Sequence, residues 1–259
     1  MIKTKVFTNE VVAWIKDYFK GNDEGKAVIG ISGGKDSTIV AGLLCKALGA
    51  DRVIAVMMPC GEQKDISDSI KVCDFFNIPS RNRFTANIEV SVIDVKNAII
   101  CGCEIGMMNE VADSLCSDVV NTNLPSRIRM CTLYTVAAIY PNSRVVNTSN
   151  SSERYIGYST KFGDGVGDFS PLGNLTVREV LAIGDDLGIP YALVHKEPSD
   201  GMSGKSDEDK IGFTYNELDS YLLGDAEPTI ETKEKIKRLH EINLHKTLPM
   251  PMFCPEEEE

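Results

Sequence analysis

The residues with the most specific chemistry lie in one short segment, Gly30-Ile31-Ser32-Gly33-Gly34-Lys35-Asp36-Ser37. Gly33 and Gly34 carry no Cβ, so their backbone amides can close around an anion. Ser32 and Ser37 add hydroxyl donors. A helix beginning at this point would add the positive end of its dipole. The segment therefore predicts a pyrophosphate-binding site.

The carboxylate of Asp36 adds a requirement to this site. It would repel a bare phosphate, so the sequence predicts a cation, and Mg²⁺ suits carboxylate and phosphate oxygens together. The segment is not a Walker A loop, because Lys35 is followed by Asp36 rather than by Ser or Thr. The alternative is an ordinary glycine-rich turn that caps a helix. The pattern Ser-Gly-Gly-x-Asp-Ser between a strand and a helix favours the phosphate site.

The flanking sequence predicts the elements that position this segment. The continuous apolar runs at 27–31 and 52–57 are typical of buried parallel strands. Helical patterns follow each run, at 37–48 and 63–76. Strand and helix alternating at this spacing form right-handed βαβ units. We therefore predict an α/β fold with a doubly wound parallel sheet and helices on both faces.

Further along the chain, the pattern predicts a strand at 144–148 and glycine-rich or polar loops at 157–174 and 195–213. Loops of this length on an α/β frame are usually binding loops or lids. Capping signals at Thr176 and Thr214 mark two more helices. The remaining helices are predicted at 9–20, at 126–140 between Pro125 and Pro141, and at 229–243.

Composition limits the class of protein. The length of 259 residues fits a single domain, 1–259, that ends in an acidic tail at 255–259. The net charge of −11 argues against a general nucleic-acid binder. The eight cysteines include no C-x-x-C pair and are expected to be reduced and mostly buried. The sequence has neither an apolar signal-peptide core nor a membrane-length apolar run, so we expect a cytoplasmic protein that contacts no membrane.

Several segments resemble a known family. Ser32-Gly33-Gly34-Lys35-Asp36-Ser37 resembles the loop of the N-type ATP pyrophosphatases, which split ATP between its α and β phosphates. That loop alone does not distinguish among members of the superfamily. The segments at 147–153 and 160–165 resemble signatures of the NAD synthetases, and those at 126–130, 196–199 and 245–246 follow the same family order. The resemblance runs from about residue 26 to residue 246 and implies an adenine nucleotide alpha hydrolase-like fold.

The resemblance also implies roles for individual residues. The ATP-binding residues would be Gly30, Ile31, Ser32, Gly33, Gly34, Lys35, Asp36, Ser37, Thr148, Lys196 and Ser199. Asp36 and Glu153 would hold Mg²⁺. The residues that bind deamido-NAD would be Arg127, Lys161, Asp168, His245 and Lys246. Asp36, Lys161 and Asp164 would form the catalytic group.

The implied reaction is the ATP-dependent amidation of deamido-NAD by ammonia, through an acyl adenylate, to give NAD, AMP and pyrophosphate. The resemblance to the synthetase takes up the whole chain, so no glutaminase domain is expected and free ammonia would be the nitrogen donor. The family also implies a homodimer. Two positions depart from its pattern: Val177 stands where some relatives carry an ATP-contacting Lys, and Asn147 stands where Gly is common. Arg178 or Lys196 is a candidate to supply the missing charge.

Two other functions fit part of the sequence. A tRNA-modifying enzyme with the same loop would need a basic RNA-binding surface and often paired cysteines, which the charge and the cysteine spacing disfavour. A non-catalytic nucleotide-binding module would bind ATP without releasing AMP. For single residues the alternative is a solvated surface charge, as at Arg127 and Arg129, or a helix-dipole residue, as at Glu153.

Overall fold

A four-stranded parallel sheet forms the centre of the computed structural model, which describes residues 4–62, 66–195 and 207–254. Its strands are β1 (Ala27–Gly30), β2 (Val53–Met57), β3 (Arg83–Thr85) and β4 (Arg144–Val145). They lie in the order β3-β2-β1-β4, and every pair is parallel. The strand order therefore reverses between β1 and β4, as in doubly wound sheets.

Helices cover both faces of the sheet, because alternate residues of each strand face opposite sides. Ala27 and Ile29 pack in one apolar cluster, with α1 (Thr8–Tyr18), α2 (Lys35–Leu48) and α3 (Ile66–Phe75). Val28 packs in the other cluster. That second face is covered by α4 (Glu89–Gly102) and α6 (Asp118–Ile139), with α5 (Met108–Leu115) between them in the chain. The predicted α/β class, with helices on both faces, is confirmed.

A third apolar cluster contains no strand residues and includes the fully buried Leu218 and Ile236. It joins the short helix α7 (Ser151–Ile156) to later elements of the chain. The cluster includes residues of α8 (Val177–Asp186), α10 (Asp207–Ile211), α11 (Tyr215–Leu223) and α12 (Ile230–Asn243), whereas the short helix α9 (Tyr191–Val194) packs in the first cluster. The cluster fixes α7 against the body of the molecule.

Most of the predicted elements are present. The N-terminal helix predicted at 9–20 is α1, and the helices at 37–48 and 229–243 are α2 and α12 with ends shifted by one or two residues. The segment 157–174 is a loop. The two predicted capping boxes are confirmed: Glu179 bonds the Thr176 amide, and Glu217 bonds the Thr214 amide.

Three element predictions need correction. The helix predicted to begin after Pro125 begins at Asp118, and Pro125 lies inside it. The carbonyl that Pro125 cannot bond belongs to the exposed Asn121, where water can reach it. The strand predicted at 144–148 is only Arg144–Val145, followed by a single bridge from Val146 to Phe169. The predicted loop at 195–213 contains α10, and its residues 196–206 lie outside the described part of the chain, as does the predicted acidic tail.

Candidate active site

A cleft opens at the carboxyl ends of β1 and β4, where the strand order reverses. Ligands of open α/β sheets bind at this position. Its lining comes from the turn after β1, from the segment after β4 and from the loop that follows α7: Ser32, Gly34, Asp36, Ser37, Thr148, Ser149, Glu153 and Asp164. Sequence prediction had assigned all of these except Ser149 to the site.

The glycine-rich turn after β1 is held by hydroxyl groups. Gly33 has φ +80°, a left-handed conformation that suits glycine, and Gly34 is the N-cap of α2. The Gly34 amide donates to Ser32 Oγ at 3.2 Å, and Ser37 Oγ donates to the Gly34 carbonyl at 3.1 Å. The turn is therefore preformed at the N-terminus of a 14-residue helix, which favours an anion.

Two residues of the predicted phosphate segment, Gly30 and Ile31, belong to the sheet or bond to it and do not line the cleft. Gly30 is the last residue of β1. The Ile31 amide donates to the Val56 carbonyl at 2.9 Å, and the Ile31 carbonyl accepts from Ser69 Oγ at 3.0 Å. Because both backbone groups of Ile31 are engaged and its side chain is buried, its contribution to the site is to anchor the turn.

Two carboxylates face the cleft from opposite sides of the strand reversal. Asp36 lies in the first turn of α2 and Glu153 in the first turn of α7. Asn150, the N-cap of α7, connects them. Its Nδ2 donates to Asp36 Oδ1 at 3.2 Å, its Oδ1 accepts from the Glu153 amide at 3.0 Å, and its own amide donates to Glu153 Oε2 at 3.3 Å. The buried Asn150 thus sets the relative position of the two acids.

The electrostatics of this pair are unusual. Burial, reinforced by the Asp36 carboxylate, raises the pKa of Glu153 to about 8, although the Lys35 ammonium opposes this shift. Lys35 is only 8% exposed, and its Nζ lies 2.8 Å from Asp36 Oδ2. Burial alone would lower the pKa of Lys35, but the carboxylates of Asp36, Glu153 and Asp207 raise it above its usual value.

The two carboxylates fit Mg²⁺ better than a cation that needs a cage of protein ligands. Within the described residues, there is no group of three or more His, Cys, Asp or Glu side chains placed to hold a metal. Mg²⁺ keeps several waters and is usually held by one or two carboxylates plus substrate phosphates. Asp36 and Glu153 beside a phosphate-binding turn match that donor set.

Asp164 is held in the cleft by a tight turn against α6. Its Oδ1 accepts from Ser126 Oγ at 2.6 Å and from the Thr160 amide at 2.9 Å, and its carbonyl accepts from Asn147 Nδ2 at 2.7 Å. A Cβ at Gly163 would lie 2.4 Å from Ser126 Oγ, so glycine permits this close approach. Asn147, which departs from the family pattern, therefore contributes its side chain to this turn.

The residues beside Asp164 form the rim of the cleft. Arg127 Nε donates to the Lys161 carbonyl at 3.2 Å, so these two predicted ligand contacts lie together. Lys161 Nζ lies 5.3 Å from the centre of the Phe162 ring. Phe162 is 65% exposed and has φ +63°, a strained conformation for a residue other than glycine. An exposed aromatic ring held in this way is available to stack on a planar ligand.

Three other predicted ligand contacts lie apart from the residues that line the cleft. Asp168 accepts from the Val145 amide at 2.7 Å and from Tyr134 Oη at 3.2 Å, which fixes it to the edge of the sheet. Lys246 Nζ donates to the carbonyls of Gly157 and Ser159 at 2.8 and 2.9 Å. His245 is exposed on the turn after α12. Lys196 and Ser199 lie outside the described residues.

The position predicted to lack an ATP-contacting Lys is buried. Val177 is 7% exposed in the third apolar cluster, and its amide donates to Ser152 Oγ. Neighbouring Arg178 pairs with Asp225 at 2.7 Å. The Arg178 guanidinium also donates to Asn216 and Ser220 of α11, so it is engaged away from the residues that line the cleft. The other candidate for the charge, Lys196, lies outside the described residues.

Sequence reasoning missed two residues that organise the site, Asn150 and Ser126. Asn150 carried a usable signal, because an Asn followed three residues later by Glu has the spacing of a capping box. Ser126 lies in the segment 126–130 that resembles the family, but no local pattern indicated its role, since its contact with Asp164 joins residues 38 positions apart.

Comparison with known proteins identifies relatives over nearly the whole chain. Residues 7–250 match the NAD synthase family. An NH(3)-dependent NAD(+) synthetase from Alkaliphilus metalliredigens is 36% identical over 244 residues, which cover 93% of this chain and 95% of the relative.

Two solved structures give the same result for the fold. NMN synthetase from Francisella tularensis has a TM-score of 0.82 at 30% identity, and the match covers 97% of this chain and 98% of that chain. NH3-dependent NAD synthetase from Campylobacter jejuni has a TM-score of 0.70 at 27% identity and covers 96% and 98%. The fold expected from the sequence, that of the N-type ATP pyrophosphatases, is confirmed.

Proposed function

This chain belongs to the NAD synthase family, and on that premise we propose that it amidates deamido-NAD with free ammonia, converting ATP to AMP and pyrophosphate. One observation carries the proposal: the phosphate turn after β1 and the Glu153-bearing helix after β4 line a single cleft. That arrangement offers anion-binding amides on one side and a carboxylate pair beside them.

The chemistry follows from the poor reactivity of a carboxylate, since attack on it would build up further negative charge. The acid oxygen would attack the α-phosphorus of ATP, so that pyrophosphate leaves and an acyl adenylate forms. The turn amides and the hydroxyls of Ser32 and Ser37 would hold the departing phosphates. Mg²⁺ bound by Asp36 and Glu153 would neutralise charge on those phosphates. Ammonia would then attack the activated carbonyl and release AMP.

The rim would act on the nicotinate end of the substrate. We infer that Lys161 attracts its negative charge and that Asp164 fixes the turn which carries Lys161. Arg127 supports that turn through the Lys161 carbonyl. Positioning of this kind, together with exclusion of water, accounts for catalysis without a covalent enzyme intermediate.

The test of this function is a product assay with ATP, the nicotinate acid and either ammonium or glutamine. We expect AMP, pyrophosphate and amide in equal amounts with ammonium, and little amide with glutamine alone. Asp36→Asn and Glu153→Gln should each abolish turnover while the fold persists. ADP as the nucleotide product, or full activity in both variants, would contradict the proposal.

A second candidate substrate is nicotinate mononucleotide. The observation that favours it is the likeness to the Francisella tularensis NMN synthetase, with a TM-score of 0.82 against 0.70 for the Campylobacter jejuni NAD synthetase. Both acids present the same carboxylate to ATP, so the two activities would share all the residues named above. A comparison of kcat/KM for the two acids, under identical ATP and ammonium, decides which is preferred.

We further propose that residues 1–259 act as one synthetase domain, as a cytoplasmic homodimer. The matched family covers residues 7–250. All eight cysteines are free thiols, which fits a reducing compartment, but the expectation that most are buried is wrong, because only Cys73 is buried. In the described part of the chain, each helix is too short or too polar to cross a bilayer. Large apolar side chains exposed on α4 and α6 and in the turn before α5 offer a surface for a second copy.

A further inference from the structure

Lys35 occupies the variable position of the phosphate turn, but its side chain does not line the cleft. Its ammonium lies 5.8 Å from the centre of the Tyr215 ring and binds Asp36 Oδ2 at 2.8 Å. Only 8% of the residue is exposed. A lysine buried in this way behind a carboxylate is poorly placed to contact a phosphate in the cleft.

The surroundings of Lys35 explain why a cation is needed there. Asp36 is bonded through both oxygens, to Asn150 through Oδ1 and to Lys35 through Oδ2. Glu153 interacts electrostatically with both Asp36 and Lys35. Beneath them, the Tyr215 hydroxyl is buried and has no hydrogen-bond partner among the described residues. Two carboxylates that lie close together beside a buried hydroxyl, with little water to screen them, repel one another strongly unless a positive charge lies beside them.

We propose that Lys35 is an internal counter-cation for the Asp36 and Glu153 pair, a positioning residue that makes the divalent metal enter together with ATP. This inference rests on the proposed function, because it takes those two carboxylates as the metal ligands. Before nucleotide binds, the ammonium holds the pair in place and occupies one oxygen of Asp36.

The order of binding follows from charge. A free divalent cation entering the pair must either displace the ammonium or bear its repulsion, which is twice that between two single charges. The triphosphate of ATP brings several negative charges and further oxygen ligands, so it offsets that repulsion. The site therefore discriminates against the metal alone and accepts the metal with its nucleotide.

The test measures Mn²⁺ binding by electron paramagnetic resonance, with and without a non-hydrolysable ATP analogue, at pH 8.5. Lys35→Gln removes the charge but keeps a donor for Asp36, and Lys35→Met removes both. Without nucleotide, we expect both variants to bind Mn²⁺ at least about tenfold more tightly than the unmodified protein. With the analogue, the difference should shrink to about threefold or less.

Two controls isolate the local charge. Lys71→Gln removes an ammonium from an exposed pair with Asp68 on α3 and should leave Mn²⁺ binding unchanged. Lys35→Arg restores a positive charge and should restore weak binding of Mn²⁺ alone. Circular dichroism of each variant establishes that it is folded. If the neutral variants do not fold, Lys35→Arg still tests the charge, because tight binding of Mn²⁺ alone by this variant would contradict the inference.

The outcomes separate this inference from the proposed function. Equal nucleotide-free Mn²⁺ binding by the unmodified protein and both neutral variants would overturn the counter-cation. An ATP analogue that binds about tenfold more weakly to Lys35→Gln at saturating Mn²⁺ would also overturn it, because Lys35 would then be a phosphate ligand. If Mn²⁺ failed to bind to the unmodified protein even with the analogue, the metal assignment in the proposed function would fail as well.

Discussion

At the scale of single residues, Asn150 connects the two carboxylates of the site. It is fully buried, caps α7 and bonds Asp36, so one side chain sets the relative position of the two carboxylates. Replacement of Asn150 would remove both the N-cap of α7 and the hydrogen bond to Asp36.

Asn150→Ala should therefore reduce both stability and metal-dependent turnover. We expect a loss of about 0.5–2 kcal/mol in the free energy of unfolding, as for other N-caps, and an apparent Mg²⁺ requirement raised about tenfold because Asp36 loses its Oδ1 partner. Thr229→Ala removes the cap of α12, away from the cleft, and serves as the matched control. The same rise in Mg²⁺ requirement in the control would contradict a specific role for Asn150.

The raised pKa of Glu153 predicts how metal binding depends on pH. A carboxylate must lose its proton to bind the cation, and this one holds its proton up to about pH 8. Apparent affinity for Mn²⁺ in the presence of an ATP analogue should therefore weaken as the pH falls from 8 towards 6, by up to about tenfold per unit. Glu153→Gln, which has no proton to lose, should bind weakly and with little dependence on pH. A flat profile in the unmodified protein would contradict the shifted pKa.

At the scale of elements, α12 and the turn after it hold the end of α7. Three side chains at spacings of three residues bond carbonyls at the end of α7 and in the loop after it: His240 with Tyr155, Asn243 with Ile156, and Lys246 with Gly157 and Ser159. Helix C-termini leave carbonyls without partners, and cationic side chains satisfy them well. This clamp fixes the helix that carries Glu153 and the start of the loop that carries Asp164.

Lys246→Met should lower the free energy of unfolding by about 1.5–3 kcal/mol, since it removes hydrogen bonds from a charged donor. Lys235→Met, which breaks an exposed i,i+4 pair with Glu231 on α12, should leave the stability almost unchanged, because exposed ion pairs contribute little. Urea denaturation measures both. An unchanged stability together with a raised KM for the nicotinate acid would make Lys246 a substrate contact, as the family resemblance implies, and would remove its role as a clamp.

The elements also show what the sequence can and cannot predict. The strands and helices around the phosphate turn were predictable because apolar runs and capping residues are local signals. Pro125 led to a wrong prediction of the start of α6. A proline inside a helix leaves one carbonyl without a partner, here that of Asn121, and the sequence does not show whether water can reach that carbonyl. The clamp on α7 was not predictable, since it pairs residues more than 80 positions apart that are brought together by the third apolar cluster. The carboxylate pair was anticipated only through the family resemblance.

At the scale of the whole molecule, the proposed homodimer would use apolar side chains that are exposed on α4 and α6. Ile93 is 49% exposed on α4 and Val119 is 70% exposed on α6. These two helices are neighbours, because Lys96 bonds Asn121 across them. Surfaces of this kind mark protein contacts when the exposed apolar residues are contiguous.

We expect light scattering after size exclusion to give twice the mass of one chain. The double variant Ile93→Lys with Val119→Lys should shift this towards one chain, because it places two like charges in the contact. Ile230→Lys alters a side chain that is 79% exposed on α12 and should leave the dimer intact. A monomer in the unmodified protein would contradict the proposed homodimer.

In the proposed reaction, the phosphate turn delivers the α-phosphorus of ATP to the carboxylate of the nicotinate substrate. The most direct measurement labels both carboxylate oxygens of the acid with ¹⁸O and examines the products by mass spectrometry after a reaction with ATP and ammonium. Attack of the carboxylate on the α-phosphorus would leave one labelled oxygen in AMP and one in the amide carbonyl. Label in inorganic phosphate, or AMP without label, would mean that the carboxylate does not attack the α-phosphorus.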